Sequence, residues 1–467
     1  MTGGAGQEPG EAGRGSPNAS PVSRSAVLLS RVVAVAPHEV RAMLASFAFF
    51  FFVLSSYFIL RPIRDAVGVA AGVSGLPWLF AGTLVAMLVA NPLFSALVVR
   101  FPVRRFIPIT YHFFAANLLL FYAAMRWTGA DTASGGIWIG PVFYIWTSVF
   151  NLFVVSVFWS FMADVFHSEA AKRLFGFIGV GGTLGSIAGS TVTAALALRL
   201  GTVNLLLVSI ALLEIAVLVV VRFPARPRPS VVSATLRADH DAVPIGGSVW
   251  AGFTGVVRSP YLLAIAAFLM LYTIGSTFLY FQQADIIRRA YTSSEARAAI
   301  LARIEVAVQT LTVLTQIFLT GRIMRWLGLA VTLALLPAVS VIGFGALGTA
   351  PVLATVVAFT VIRRGTNFAI TNPAMEVLFT VVSREDKYKA KSFIETFVYR
   401  AGDQVAAWIY RGLDLLGLGV SGTAFVAVPF AATWLGVAFW LGHRQARLAA
   451  GERAAAVPSA AQSMAAS

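Results

Sequence analysis

"FAFFFFVLSSYFILRPIRDAVGV", residues 47–69, is the stretch on which the fold turns. Its first half is as apolar as lipid. Its second half sets Arg61, Arg64 and Asp65 just before another apolar stretch begins. A membrane-crossing helix needs roughly 20 mostly apolar residues, and residues 42–63 supply them. Working outward, the same kind of segment recurs at 75–99, 106–126, 137–162, 174–198, 202–221, 260–283, 301–320, 329–348, 350–382, 392–416 and 420–441. Composition agrees: 58% of the 467 residues are hydrophobic and 12% charged, against about 25% charged in a soluble domain. The sequence therefore predicts an all-α, polytopic membrane protein with about twelve transmembrane helices.

The loops carry the topology. Counted from an inside N-terminus, the inner loops hold Arg100, Arg104 and Arg105, then Lys172 and Arg173, then Arg322 and Arg325, then Arg384, Lys387, Lys389 and Lys391. The outer loops are poor in basic residues except near 284–300, with Arg288, Arg289 and Arg297. Lys and Arg accumulate on the cytoplasmic side, so both termini are expected inside, in a bacterial inner membrane. Arg far outnumbers Lys and Ala is abundant, usage that points to a GC-rich bacterial genome. The net charge of +15 is thus read as topology, with no nucleic-acid partner. There is no cysteine and the five histidines are scattered, so no metal and no cofactor is expected.

Residues 1–37, rich in Gly, Pro, Ser and Ala, read as a disordered tail, and 443–467, Ala-rich, as another. The longest internal loop, 222–259, contains "RFPARPRPS" and reads as a cytoplasmic linker. It separates a six-helix half at 38–221 from a second at 260–442. A repeat supports that division. "SEAAKRLFGFI" (168–178) and "REDKYKAKSFI" (384–394) each lead into a span, and setting Phe177 on Phe393 sets Glu169 on Glu385 and Arg173 on Lys389. Parallel six-helix halves are the architecture of the major facilitator transporters.

Ionisable residues inside a bilayer cost about 2.5–3.5 kcal/mol each on insertion scales, so they face a cavity or a partner. Arg61 and Arg64 share a helix face if helix continues through Pro62. They either snorkel to the outer interface, with Asp65 as partner, or form an anion clamp, since guanidinium presents a planar fork to phosphate or carboxylate. In "VIRRGTNFAITNPAMEV" (361–377), Arg363 and Arg364 point about 100° apart on a helix, so one of the two is expected to face the cavity. They either contact substrate or lock the halves together. Glu376 follows them. In "ETFVYRAGDQ" (395–404), Glu395, Arg400 and Asp403 interrupt a span and suit either a buried pair or the site. Glu214 and Glu305 are lone acids open to a proton role. Gln282 closes a span near the vestibule. "GFIGVGGTLGSIAGS" (176–190) lacks the Lys-Ser/Thr ending of a phosphate loop. Its Gly181, Gly185 and Gly189 instead make two overlapping G-x-x-x-G pairs, the signature of close helix packing in a membrane.

Three segments, "SYFILRPIRDAVGV", "FWSFMADVF" with "AAKRLFGFIGVGGTLGSIAGS", and "TNPAMEVLFTVVSREDKYKAKSFIETFVYRAGDQ", together resemble the ATP/ADP translocases, the nucleotide transporters of plastids and obligate intracellular bacteria. The resemblance covers roughly residues 45–440. It implies a major-facilitator-like transporter that exchanges ATP for ADP, or imports nucleotides, with basic residues on the phosphates. Arg61, Arg64 and Asp65 fall on the Arg, Lys and final Asp of the family's I-L-R-D-x-K-D pattern. Elsewhere three family charges are replaced, near Thr147, at Gln282 and at Ala374. The resemblance thus implies a diverged bacterial relative, and together with the excess of embedded arginine it makes the expected cargo an organic or phosphorylated anion, nucleotides first, clamped by Arg61 and Arg64, with Arg363, Arg364 or Arg400 completing a site that Gln282 also lines. Asp65, Glu214, Glu305, Glu376, Glu395 and Asp403 are the expected coupling or ion-pair acids. ATP would be cargo and not fuel. The chain is expected to work as a monomer in the lipid bilayer. The alternatives are a proton-coupled facilitator for another solute, with Glu214, Glu305 or Glu376 carrying the proton, and a non-transporting membrane scaffold or sensor.

Overall fold

Lipid offers no hydrogen bonds, so every backbone N–H and C=O in a bilayer is satisfied within the chain, and helices do this segment by segment. The computed structural model describes residues 39–100, 103–128, 138–166, 168–224, 256–382, 391 and 393–465, with backbone alone at 91–100, 103–106, 163, 168–172, 395–396 and 451–465. All of its described elements are helical. The N-terminal set is α1 (Val40–Arg100), α2 (Val103–Thr128), α3 (Ile139–Val165), α4 (Ser168–Leu200) and α5 (Thr202–Val221). The C-terminal set is α6 (Pro260–Ala290), α7 (Ser294–Phe318), α8 (Thr320–Thr349), α9 (Leu353–Thr366), α10 (Asn372–Leu378), α11 (Tyr399–Leu415) and α12 (Val420–Ala465). A π-helical turn, Asn367–Thr371, joins α9 to α10, and a second, Ile394–Val398, leads into α11.

Straight, the 61 residues of α1 would measure roughly 90 Å at about 1.5 Å each, three times the hydrocarbon thickness of about 30 Å. Gly72, at φ 63° and ψ −176°, breaks it into two arms, a conformation glycine adopts without a Cβ clash. Gly328, at φ 69°, divides α8 in the same way. Nine helices among the described residues are long and apolar enough to cross a membrane, with α1 counted once. The segments 350–382 and 392–416 are not among the nine. The first is cut by its π-turn and by Pro373 at the start of α10. The second has just 17 α-helical residues after its π-turn, with Arg400, Asp403, Arg411 and Asp414 among them. The expected tail 1–37 and most of the expected linker, 225–255, lie outside the described residues. The expected C-terminal tail from 443 departs from the reading: α12 stays helical to Ala465, in keeping with alanine as the best helix former.

Small residues bring the helices together. A Cβ on Gly185 or Gly189 of α4 would collide with the carbonyl oxygen of Phe51 or Ser55 on α1. Ser55 Oγ donates to the Gly185 carbonyl at 3.0 Å, and Thr193 Oγ1 to the Ile59 carbonyl at 3.2 Å. In the C-terminal set, a Cβ on Gly402 of α11 would strike Thr273 of α6. The offset that sets Phe177 on Phe393 sets Gly201 on Gly417, and both glycines sit at φ 79° in the corners after α4 and α11. The two sets meet where α4 packs on α7 and where α1 packs on α6, α7 and α11.

Candidate functional site

The charged end of the opening stretch faces inward. Arg61, Arg64 and Asp65 on α1 line a cavity of 330 Å³ between the two sets of helices, inside the range of about 300–1,000 Å³ usual for small-molecule sites. Glu305 on α7, Arg363 and Arg364 on α9, and Arg400 and Asp403 on α11 line the same space. Eight of the twelve residues singled out in the sequence thus meet at one place.

Their partners differ. Arg64 Nη2 donates to Asp65 Oδ1 at 2.6 Å and Nη1 to Ser148 Oγ at 3.3 Å, with the Tyr144 ring 5.1 Å from the guanidinium carbon. Arg61 and Arg364 both donate to Glu305, at 3.2 Å and 2.8 Å. Arg400 lies 3.7 Å from Asp403, which also accepts from Thr277 Oγ1 at 3.2 Å. Arg363 is 2% exposed and donates to neutral oxygens: Ser340 Oγ at 3.0 Å, Ser276 Oγ at 2.9 Å and the Tyr272 carbonyl at 3.1 Å. The Tyr272 and Trp434 rings lie 5.3 and 5.9 Å from its guanidinium carbon. Both adjacent arginines of α9 therefore line the cavity, and not one of the two. Long side chains from a helix edge reach into a space bordered on several sides.

Three expected residues fall elsewhere. Gln282 is fully buried and its Nε2 donates to Thr423 of α12 at 3.3 Å, while its neighbour Gln283 lines the cavity and accepts from Thr360. One residue is about 100° of helix rotation, enough to exchange the two faces. Glu214 sits on an outer surface, 3.1 Å from His112 Nε2, with its side chain 41% exposed. Glu376 pairs with Lys391 at 2.7 Å and lines a separate cleft with Asn367 and Tyr399. The side chain of Glu395 lies outside the described residues.

Apart from Gln283, which closes a span beside Gln282, the sequence reading missed an uncharged part of the lining. Tyr272, Ser276, Tyr280 and Gln283 on α6 and Tyr144, Ser148 and Asn151 on α3 face the cavity. Each group repeats at three or four residues, the period of one helix face, so a polar stripe on an otherwise apolar span was the available signal. At the end of the bundle away from Val40 the two sets close on each other. Tyr280 meets Tyr144 at 3.4 Å and crowds Gly68, and Trp78 packs edge-on to Trp408 with ring centroids 5.2 Å apart.

Apolar helices arranged around a central, cation-lined cavity define a polytopic membrane transporter, embedded in lipid and handling a small solute, and not an enzyme. The chain belongs to the TLC ATP/ADP transporter family, whose sequence profile matches residues 78–445. It is 24% identical over 463 residues to ADP,ATP carrier protein 1 of Chlamydia muridarum (strain MoPn / Nigg), covering 85% of this chain and 86% of that one. ADP,ATP carrier protein 1 of Chlamydia trachomatis serovar D is 24% identical over 472 residues at the same coverage. ADP,ATP carrier protein 2 of Chlamydia pneumoniae is 26% identical over 218 residues, 41% of this chain and 40% of that one. The fold is similar to that of the D-xylose-proton symporter (TM-score 0.57, 14% identity, covering 86% of this chain and 96% of that one). It is also similar to the nucleoside transporter NupG (TM-score 0.54, 14% identity, covering 86% and 98%).

Proposed function

We propose that the protein is a secondary transporter that moves an organic or phosphorylated anion, nucleotides first, across a bacterial inner membrane. The two arms of α1, the paired α9–α10 segment and α11 bring the count to twelve crossings in two major-facilitator-like halves, which alternate access to the cavity. Both termini are cytoplasmic, on the distribution of Lys and Arg. One observation carries the substrate class. Five guanidiniums line the cavity against three carboxylates, a surplus of two positive charges that a dianion or a more highly charged solute would offset. A guanidinium fork matches phosphate oxygens in shape as well as charge, and Tyr144, Tyr272, Tyr280 and Tyr399 offer ring faces to a planar base. The chlamydial relatives named ADP,ATP carriers support nucleotides as the leading cargo.

The test is uptake of labelled ATP, ADP and other organic anions into proteoliposomes. Wild type is expected to take up at least one nucleotide, with R64A reduced tenfold or more at equal incorporation. Wild-type rates by R64A would remove the site assignment, and indifference to every anion would remove the substrate class.

A further inference from the structure

Glu305 differs from the other two carboxylates of the cavity. Asp65 is held by its own neighbour Arg64 on α1, and Asp403 lies one helical turn from Arg400 on α11. Glu305, on α7, instead takes an arginine from each half of the molecule. Arg364 engages it as a fork, Nη1 to Oε2 at 2.8 Å and Nη2 to Oε1 at 3.1 Å. Arg61 gives a single contact, Nη1 to Oε1 at 3.2 Å, and its buried Nε has no partner. Gln309, one turn along α7, donates to the same Oε1 at 2.9 Å. Oε1 is thus shared by three donors, while the buried Nε of Arg61 is left without an acceptor.

We propose that Glu305 is a resident counter-anion: in the empty carrier it occupies the Arg61–Arg364 pair, and the anionic group of the cargo takes its place. The proposal rests on the reading of the protein as an anion transporter and names a residue that tunes its affinity and its coupling. A single carboxylate brings one negative charge to two guanidiniums. A phosphate group brings more charge and matches both forks, so it competes on favourable terms. Gln309 remains as a partner for the displaced carboxylate. A solute without charge has nothing to exchange for Glu305 and leaves the pair closed. Glu305 also partly neutralises the site when no cargo is present, which assists return of the empty carrier. Its removal therefore strengthens anion binding and hinders unloaded return more than loaded exchange.

The experiment compares wild type with E305Q, which keeps the shape and removes the charge. Pyrophosphate and ATP binding are measured in detergent. Two fluxes of ATP are measured in proteoliposomes, exchange against internal ATP and net uptake into empty vesicles. E305Q is expected to bind pyrophosphate at least tenfold more tightly than wild type and to lose net uptake at least fivefold relative to exchange. Unchanged or weaker binding by E305Q that elutes as a folded protein overturns the proposal, and so does an equal loss of both fluxes. If wild type transports ATP but E305Q gains no affinity, this proposal alone falls. If neither protein binds either anion, the reading of nucleotides as the leading cargo falls with it. Should E305Q not fold, E305D withdraws the carboxylate by one methylene. It is expected to bind pyrophosphate several-fold more tightly, and an unchanged constant there overturns the proposal equally.

Discussion

Arg363 shows at the scale of one side chain what the cavity asks of a cation. Its Nε, Nη1 and Nη2 each donate to a different neutral oxygen on α8 or α6, and aromatic rings lie close to the guanidinium. Neutral acceptors satisfy the N–H groups without cancelling the charge, so its field stays available to an anion in the cavity. Lysine would keep the charge and lose the planar fork. R363K is therefore expected to lower anion uptake tenfold or more, equivalent to about 1.4 kcal/mol, at unchanged incorporation, read from initial rates in proteoliposomes. The arginines of the site were legible in the sequence because a charge within an apolar run is conspicuous. Orientation about the helix axis was not. Gln282 and Gln283 are both polar and adjacent, and nothing local says which faces the cavity. Glu214 reads as open to a proton role because a membrane helix is apolar on its outer face too, which erases the contrast that orients a helix in water.

Among the elements, α4 is the one whose sequence and packing correspond most directly. The spacing of Gly181, Gly185 and Gly189 puts three bare positions on one face, and that face lies against the backbone of α1. Without a hydrophobic force between helices in lipid, close backbone approach and van der Waals contact hold such pairs. G189V adds atoms where the Ser55 carbonyl already sits, and overpacking of this kind costs about 1–3 kcal/mol. Lower thermal stability in detergent is expected for G189V. G179A is expected to stay near wild type, because a Cβ there meets no other group. The same scale explains where hydropathy reads poorly. The strongly apolar helices stand out, whereas α9, α10 and α11 are shortened and interrupted. Charges that build the cavity lower the apolar signal that reveals a span, as Arg363 and Arg364 do in α9 and Arg400 and Asp403 in α11. The π-turns at Asn367–Thr371 and Ile394–Val398 left no clear mark in the sequence beyond Pro373 near the first. Such turns frequently fall at functional sites, and the first directly follows the two arginines of α9.

Over the whole molecule, the offset that sets Phe177 on Phe393 also sets Gly201 on Gly417, and both glycines have a φ of 79°. Glycines also mediate two of the helix contacts, α4 on α1 and α11 on α6. Closure at the end away from Val40 depends on contacts between the halves, including Trp78 against Trp408. The chain has no cysteine, so W78C/W408C introduces the sole thiols. A short bifunctional thiol reagent is expected to join them and stop transport, with recovery on cleavage of the link. Continued transport by the joined protein would argue against rocking halves.

The unequal numbers of guanidiniums and carboxylates in the cavity also have an electrical side. Moving one elementary charge through a full membrane field is worth about 2.3 kcal/mol per 100 mV, so two uncompensated charges feel up to about 4.6 kcal/mol per 100 mV. On the alternating-access reading proposed above, the protein loaded with a dianion would cross without sensing the voltage, and unloaded, in a cell that is negative inside, it would be held facing the cytoplasm until an anion neutralises it. The resting potential itself would then act as a latch that favours exchange over one-way transport.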